Sequence, residues 1–403
     1  MKELLNLGEL YVSDFIKEGE QPRGKKVEMK IIRDDRGIPR LEKTADLDTM
    51  YGKYWYRSGT NATMKKELKG IADSITSIYK LSDNDVWLDI ACNDGEMFKH
   101  MPNNVFKLGI DPADNSFKEE AEKIGNAVIQ DYFSAKAYNA ILTKRASVIT
   151  SIAMFYDVED YGSFLKDIYN VLDDDGLWVM QLSYTPLMLK QIAFDNICHE
   201  HIYYYSLENL SDLLKDYGFK VMDCQLNDTN GGSFRVYIMK DVANKGLFGT
   251  QPYRDVCNFR VDSIYAYEYY LGLNEDHQWE EFKESIEYLK QDVVPFIQEV
   301  VKSGSVVMGY GASTKGNTLL QYFGLDSNLI TSIAERNPQK WGLKTVGTNI
   351  PIISEEAMRK AQPDYLLVLP WHFISEFKER ESEYLNKGGK FIIPCPKFKI
   401  ICQ

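Results

Sequence analysis

The chain has 403 residues and a net charge of −12, with 44% hydrophobic and 26% charged residues. That length suits two or three domains with real cores. The acidic balance argues against a nucleic-acid partner, which calls for a basic stripe, and no apolar run approaches the ~20 residues that span a bilayer.

Residues 1–60 form an N-terminal segment without clear periodicity, broken by a turn at Arg33-Asp34-Asp35-Arg36-Gly37-Ile38-Pro39. Between Asn61 and Tyr79, the positions Met64, Leu68, Ile71, Ile75 and Ile78 recur every three or four residues and predict an amphipathic helix. Strands over 86–90, 105–110, 147–152 and 177–182, with a helix over 161–172, predict a parallel, doubly wound sheet. A helix over 207–217 stops at Gly218, and strands over 219–226 and 233–239 flank the turn-rich stretch 227–232. These elements make one domain, 61–245. Residues 246–303 are aromatic, acidic and helical in spacing, with one proline at Pro295, and predict a helical connector. A second α/β pattern fills 304–403, with strands over 306–308, 329–333, 365–369 and 390–393 and a helix over 314–323. The fold class is α/β: a doubly wound sheet and a second Rossmann-like lobe joined by helices.

Six scattered cysteines (Cys92, Cys198, Cys224, Cys257, Cys395, Cys402) contain no C-x-x-C pair. Reduced thiols in a cytoplasmic protein without structural zinc are the simpler expectation, and nothing near Met1 resembles a signal peptide.

Trp87-Leu88-Asp89-Ile90-Ala91-Cys92-Asn93-Asp94-Gly95 puts small and turn-forming residues between a strand and a helix, where a nucleotide-like ligand can approach the backbone. Asp111 ends the next strand, where a carboxylate accepts bonds from ribose hydroxyls. The missing G-x-G-x-x-G favours a nucleoside cofactor without a pyrophosphate. The loop resembles the first motif of class I S-adenosylmethionine-dependent methyltransferases, D-x-G-x-x-x-G, with Ala91 at the first glycine. That change is tolerable if the backbone dihedrals there are ordinary. The resemblance implies that Asp89 holds the loop, that Gly95 lies beneath the methionine part, and that Asp131 and Tyr132 sit at the adenine. Arg57 either pairs with the cofactor carboxylate or makes a surface salt bridge.

Longer strings extend the likeness. Tyr54-Trp55-Tyr56-Arg57-Ser58-Gly59-Thr60-Asn61, the run Phe194 to Ser206, Gly231-Gly232-Ser233-Phe234-Arg235, Gly309 to Thr318 and Asn337 to Gly342 resemble, in order, the sugar C-methyltransferases that act on nucleotide-linked keto-deoxysugars. The resemblance covers nearly the whole chain and implies S-adenosylmethionine as cofactor and a nucleotide-diphosphate sugar as substrate. Two departures stand out. The family's paired zinc-binding cysteines are missing from the N-terminal segment, so no metal is expected. Cys198 replaces the tyrosine before H-E-H, and the region of Tyr156-Asp157 replaces a histidine.

Methylating carbon requires a nucleophile to be made first: a base removes the proton beside a ketone, and donors stabilise the enolate. Two of only five histidines fall in His199-Glu200-His201. His201 is the expected base, with Glu200 orienting an imidazole or binding a hydroxyl. His199, Tyr54 or Tyr56 is the expected donor to the oxyanion. On an extended segment His199 and His201 share a side; on a helical one they do not. Both tyrosines and Arg235 equally suit packing or a solvated face. In the second lobe, Gly311, Ser313, Lys315 and Asn317 lie in a glycine-rich turn opening a helix, suited either to a diphosphate or to packing. Glu335, Lys340 and Cys198 complete the expected substrate set. The rivals are oxygen or nitrogen methylation, nicotinamide redox chemistry at the second glycine loop, and a nucleotide-sugar binder without catalysis.

Overall fold

The computed structural model describes residues 2–46, 50, 55–273 and 275–403, without the side chain of Lys245. The N-terminal segment has more structure than its sequence suggests. Strands β1 (Glu3–Tyr11), β3 (Lys26–Arg33) and β4 (Pro39–Leu41) form an antiparallel sheet, while β2 (Phe15–Ile16) pairs elsewhere. The β1–β3 register shifts twice, between Glu3 and Leu5 and between Asn6 and Glu9. Each shift flips the alternation of inward and outward side chains, which erases the two-residue period that marks a strand. The turn at 34–38 forms as expected, with Asp34 Oδ1 accepting from the amides of Arg36 and Ile38.

Helix α1 (Ala62–Ile78) starts at Asn61, whose side-chain oxygen caps the amides of Thr63 and Met64. It covers a seven-stranded sheet made of β5 (Val86–Ile90), β6 (Phe106–Ile110), β7 (Ala127–Ile129), β8 (Ala146–Ile152), β9 (Leu172–Ser183), β10 (Phe219–Asn227) and β11 (Ser233–Lys240). The strand order is β10-β11-β9-β8-β5-β6-β7, parallel except that β11 runs against both neighbours. All five residues of β5 are buried, as a central parallel strand covered on both faces requires. Helices α2 (Asn115–Ala121), α3 (Tyr161–Val171) and α4 (Leu207–Asp216) complete the winding.

The expected connector divides between the lobes. Helix α5 (Gln251–Leu271) ends at Gly272, which takes a left-handed conformation. It belongs to the first lobe: Arg260 forks onto Asp223 of β10 at 2.8 and 2.6 Å, and Glu268 accepts from the Leu207 and Glu208 amides that open α4. Helix α6 (His277–Lys302) instead buries Trp279, Phe282, Ile286, Leu289, Val293 and Ile297 in the core of the second lobe.

That lobe holds a sheet of order β15-β13-β12-β16-β17-β18, parallel up to an antiparallel last strand. Its strands are β12 (Val307–Tyr310), β13 (Ile333–Glu335), β15 (Ile352–Ser354), β16 (Tyr365–Val368), β17 (Lys390–Ile393) and β18 (Lys399–Ile401); β14 (Lys344–Thr345) pairs with β2. Helix α7 (Thr314–Phe323) matches its sequence pattern. The strand expected over 329–333 starts only at Ile333, because the amides of Leu329 and Ile330 turn back to the Asp326 carbonyl.

One apolar cluster joins Leu5, Leu10, Met29 and Ile31 of the N-terminal sheet to Leu319, Leu320 and Phe323 of α7. Ile31→Ala is therefore expected to cost about 2–5 kcal/mol and to speed amide exchange in β12 and β16 more than in β5 and β8. Equal loss of protection in both sheets would show that the N-terminal sheet does not belong to the second lobe's core.

Candidate active site

Three left-handed residues alternate in the loop after β5: Ala91 (φ 57°), Asn93 (φ 53°) and Gly95 (φ 74°). The dihedrals at Ala91 are thus not ordinary, and its methyl group carries a steric cost that glycine would avoid. The Ala91 amide donates to the Ile110 carbonyl at 2.8 Å, and the Asn93 amide to Asp111 Oδ2 at 2.7 Å. Asn93 also straps the preceding segment over the loop: its side chain accepts from the Ser58 amide and donates to the Tyr56 carbonyl, both at 3.0 Å. Asp94 adds a bond from the Gly59 amide at 2.8 Å.

This loop opens into a cavity of about 800 Å³. In open α/β sheets ligands bind where the strand order reverses, beyond the carboxyl ends of the strands. The reversal in the first sheet lies between β5 and β8, and in the second between β12 and β16. Both crevices face the same space: Asp89–Asn93, Ile152–Met154 and Tyr156–Asp160 line it from the first lobe, and Ser313–Lys315, Pro370, His372 and Phe373 from the second. Glu200 and His201 lie on the wall of the same cavity.

His201 is fixed by a 2.7 Å bond between Nδ1 and the Asn196 carbonyl, with the Tyr156 ring centred 4.2 Å away. A carbonyl only accepts, so Nδ1 carries the proton and the lone pair is on Nε2. Burial, then the nearby Lys315 ammonium, lowers its pKa to about 3, so the ring is neutral at physiological pH. Burial also raises Glu200 to about 7, against the opposing pull of Lys315. Glu200 nevertheless keeps partial exposure, and that exposure is toward the cavity.

Of the expected cofactor residues, Asp89, Ala91, Asn93, Asp111 and Tyr132 line the cavity. Asp89 is pushed up to about 7, chiefly by burial, and accepts from Thr150 Oγ1 at 2.6 Å. Both Asp111 oxygens accept one backbone amide each, from Asn93 and Ala113, which leaves each a lone pair for a ribose hydroxyl. That donor set fits S-adenosylmethionine, with Tyr132 and Phe133 available to the adenine. Gly95 lies elsewhere: a Cβ there would stand 2.7 Å from Cα of Ala121, so this glycine admits α2 rather than a ligand. Arg57 forms the surface pair, donating to Glu120 at 2.9 Å and Ser116 at 2.6 Å over the Phe117 ring. Asp131 is exposed, accepts from the Tyr132 amide, and does not line the cavity.

Tyr56 lines the cavity with 39% exposure, and burial followed by Asp94 pushes its phenol upward. Tyr54 lies outside the described residues. The segment Cys198–His201 is a turn closed by the His201 amide on the Cys198 carbonyl at 3.1 Å, so His199 and His201 diverge. His199 is buried against the backbone of Leu10 and Val27, away from the cavity. Neither of its nitrogens makes a hydrogen bond of normal geometry among the described residues, and burial lowers its pKa to about 4. Cys198 is buried behind the wall, where burial raises its thiol pKa.

Several expected substrate residues make contacts within the fold. Arg235 donates to Gln181 at 3.1 Å and to Glu67 of α1 at 2.6 Å. Gly311 admits Pro370, whose Cγ would stand 2.6 Å from an added Cβ. Asn317 is buried, its amide 3.4 Å from the Asp14 carbonyl. Glu335 accepts from the Ala312 and Asn337 amides, and Lys340 donates to the Ala312 carbonyl over the Phe15 ring. Ser313 and Lys315 do reach the cavity. Sequence reasoning missed His372 and Phe373, which follow directly on a predicted strand of the second lobe; strand-end position was the available signal. Among the described residues no cluster of three His, Cys, Asp or Glu side chains is placed to hold a metal ion. Ala91→Gly should stabilise the protein by about 1 kcal/mol, whereas Gly95→Ala should cost about 3 kcal/mol and weaken S-adenosylmethionine binding. Urea midpoints and calorimetric titration check both, and a destabilised Ala91→Gly protein would refute the loop geometry.

Residues 62–223 match the family model of a methyltransferase domain, and residues 228–396 that of a C-methyltransferase C-terminal domain. The C-methyltransferase NovU of Streptomyces niveus is 29% identical over 90% of this chain and 84% of its own length. Among solved structures, the magnesium protoporphyrin IX methyltransferase of Synechocystis PCC 6803 aligns at 13% identity and a TM-score of 0.35, over 45% of this chain and 88% of its own. A putative methyltransferase bound to the Haloferax volcanii Trm112 activator aligns at 11% identity and a TM-score of 0.37, over 45% and 94%. The two domain matches run in chain order from residue 62 to residue 396 and, with the likeness to NovU, support an S-adenosylmethionine-dependent C-methyltransferase.

Proposed function

We propose that this C-methyltransferase acts on a nucleotide-diphosphate keto-deoxysugar, at the carbon beside the ketone, through an enolate. The observation that carries this reading is the shared cavity: two strand-reversal crevices open into it from opposite lobes, with His201 and Glu200 on the wall that both reach. One crevice suits the methyl donor. The other offers the Lys315 ammonium and the first turn of α7 to an anionic group. A carbon acid with a nucleotide handle meets both requirements, and carbon methylation needs such an acidic C–H.

S-adenosylmethionine, when bound, supplies an electrophilic methyl group. The remaining work belongs to the chain. His201 offers the Nε2 lone pair to the proton beside the ketone, and its ring is locked by Asn196 and backed by Tyr156. Tyr56, a phenol on the cavity wall and protonated near neutral pH, donates to the developing oxyanion. The site lies between the lobes, which limits water around the carbanion.

A second assignment has its own observation. Glu200, at about 7, is better matched to proton transfer near neutrality than a ring at about 3. Its carboxylate form appears as pH rises through about 7, so base catalysis by Glu200 predicts kcat/KM rising across that range. His201 is neutral throughout and predicts no such limb. His201→Ala is expected to keep S-adenosylmethionine binding and to lose about 10²–10⁴-fold in turnover. Glu200→Gln removes the limb near pH 7 only if Glu200 is the base. The assay is methyl incorporation by mass spectrometry with candidate keto sugars, alongside solvent-deuterium exchange at the carbon beside the ketone in the presence of the demethylated cofactor. Absence of exchange in the wild type would sink the enolate.

A further inference from the structure

Asn196 touches both lobes with two different oxygens. Its side-chain Oδ1 accepts from Lys315 Nζ on the first turn of α7, and its backbone carbonyl accepts the Nδ1 proton of His201 at 2.7 Å. The residue is 3% exposed and is tied down by its own amide group, which donates to the Ala193 carbonyl at 3.2 Å. It has little freedom to answer one partner without the other.

We propose that Asn196 is a positioning residue that links Lys315 of the second lobe to the imidazole of His201, so that an anion seated at Lys315 changes the state of that ring. This rests on the reading above, in which the second lobe receives an anionic group and His201 faces the reacting carbon.

A phosphate oxygen binds an ammonium more strongly than a neutral amide oxygen does. An anion at the mouth of α7 therefore competes with Asn196 for Lys315 and also cancels its charge. The ionisable groups around His201 include Tyr156, Asp157, Glu159 and Asp160 after β8, Glu200 beside it, Cys198, Tyr203 and Tyr204 of its own segment, and Lys315 and His372 from the second lobe. Apart from burial, Lys315 is what disfavours the imidazolium of His201. Neutralising that ammonium acts through space on both rings, while releasing Asn196 from Lys315 acts on His201 alone through the Nδ1 hydrogen bond; together they make that ring the better proton acceptor only when substrate is in place. His372 supplies an internal control. It feels the same Lys315 but makes no hydrogen bond to Asn196.

The test is nuclear magnetic resonance of ring-labelled histidines during pH titration, with and without pyrophosphate, in the full chain. In the wild type pyrophosphate should raise the titration midpoints of His201 and His372 by about one pH unit each. In Asn196→Ala the His372 response should persist while that of His201 falls below half. In Lys315→Met neither ring should respond. An undiminished His201 response in Asn196→Ala, or a His201 response surviving in Lys315→Met, overturns the link; Asn196→Ser, which keeps the backbone carbonyl and loses the reach to Lys315, decides the matter by the same readout if the alanine variant does not fold. Methyl-transfer assays keep the two readings apart: no methylation of keto sugars alongside an intact pattern of ring responses overturns the substrate assignment and leaves the link standing.

Discussion

The stretch from Phe194 to Tyr205 is anchored in two hydrophobic cores at once, and the geometry of the site follows from that. Phe194 packs against the rings of Tyr322 and Phe323 at 5.8 and 5.2 Å, inside the second lobe. Ile202, Tyr203 and Tyr205 belong to the core beneath the first sheet, where Tyr205 stacks on Phe155 at 5.5 Å. The residues between these anchors have to cross the gap, and they include Asn196, Glu200 and His201. Trp371 reinforces the crossing with a bond to Asp195 at 3.1 Å. A histidine held from both sides cannot drift with either lobe alone, which suits the proposed placing of a reacting group to within a fraction of an ångström.

The same arrangement accounts for the electrostatics. Burial disfavours charge on His201, Glu200, Asp89 and Asp195 together, shifting the carboxyls up and the imidazole down. Lys315 enters this neutralised region from the other lobe. Such a region stores few formal charges until ligands bring their own: a sulfonium on one side and, under the proposed function, an anion on the other. The acidic net charge of the chain is therefore no obstacle to an anionic substrate, since one well-placed ammonium and a helix start serve where a basic surface is absent.

Backbone demands explain the glycines of two short motifs. Gly95, expected beneath the methionine part, answers to α2, and Gly311, for which a diphosphate and packing were both open, answers to Pro370; Arg57 takes the surface pair with Glu120 that its sequence also allowed. A glycine required by close helix packing and one required by close ligand approach leave the same letter in a sequence. Ala91 and Asn93 do line the cavity, but Ala91 departs from the ordinary dihedrals expected of it, and both accept left-handed ones so that the loop can turn beneath the cavity.

Local pattern was enough for α1, α3, α4, α7 and the central strands of the first sheet, because helical and buried-strand periodicities depend only on neighbours in sequence. The same holds for the loop after β5, for Asp111 at the next strand end, and for the proximity of Glu200 and His201. Folding alone decided the rest. The N-terminal sheet was hidden because its bulges break the two-residue period. The divergence of His199 from His201 depends on a turn closed by one backbone bond, and the approach of Lys315 and His372 to that turn depends on packing between lobes. Such contacts join residues separated by more than a hundred positions, and no periodicity records them.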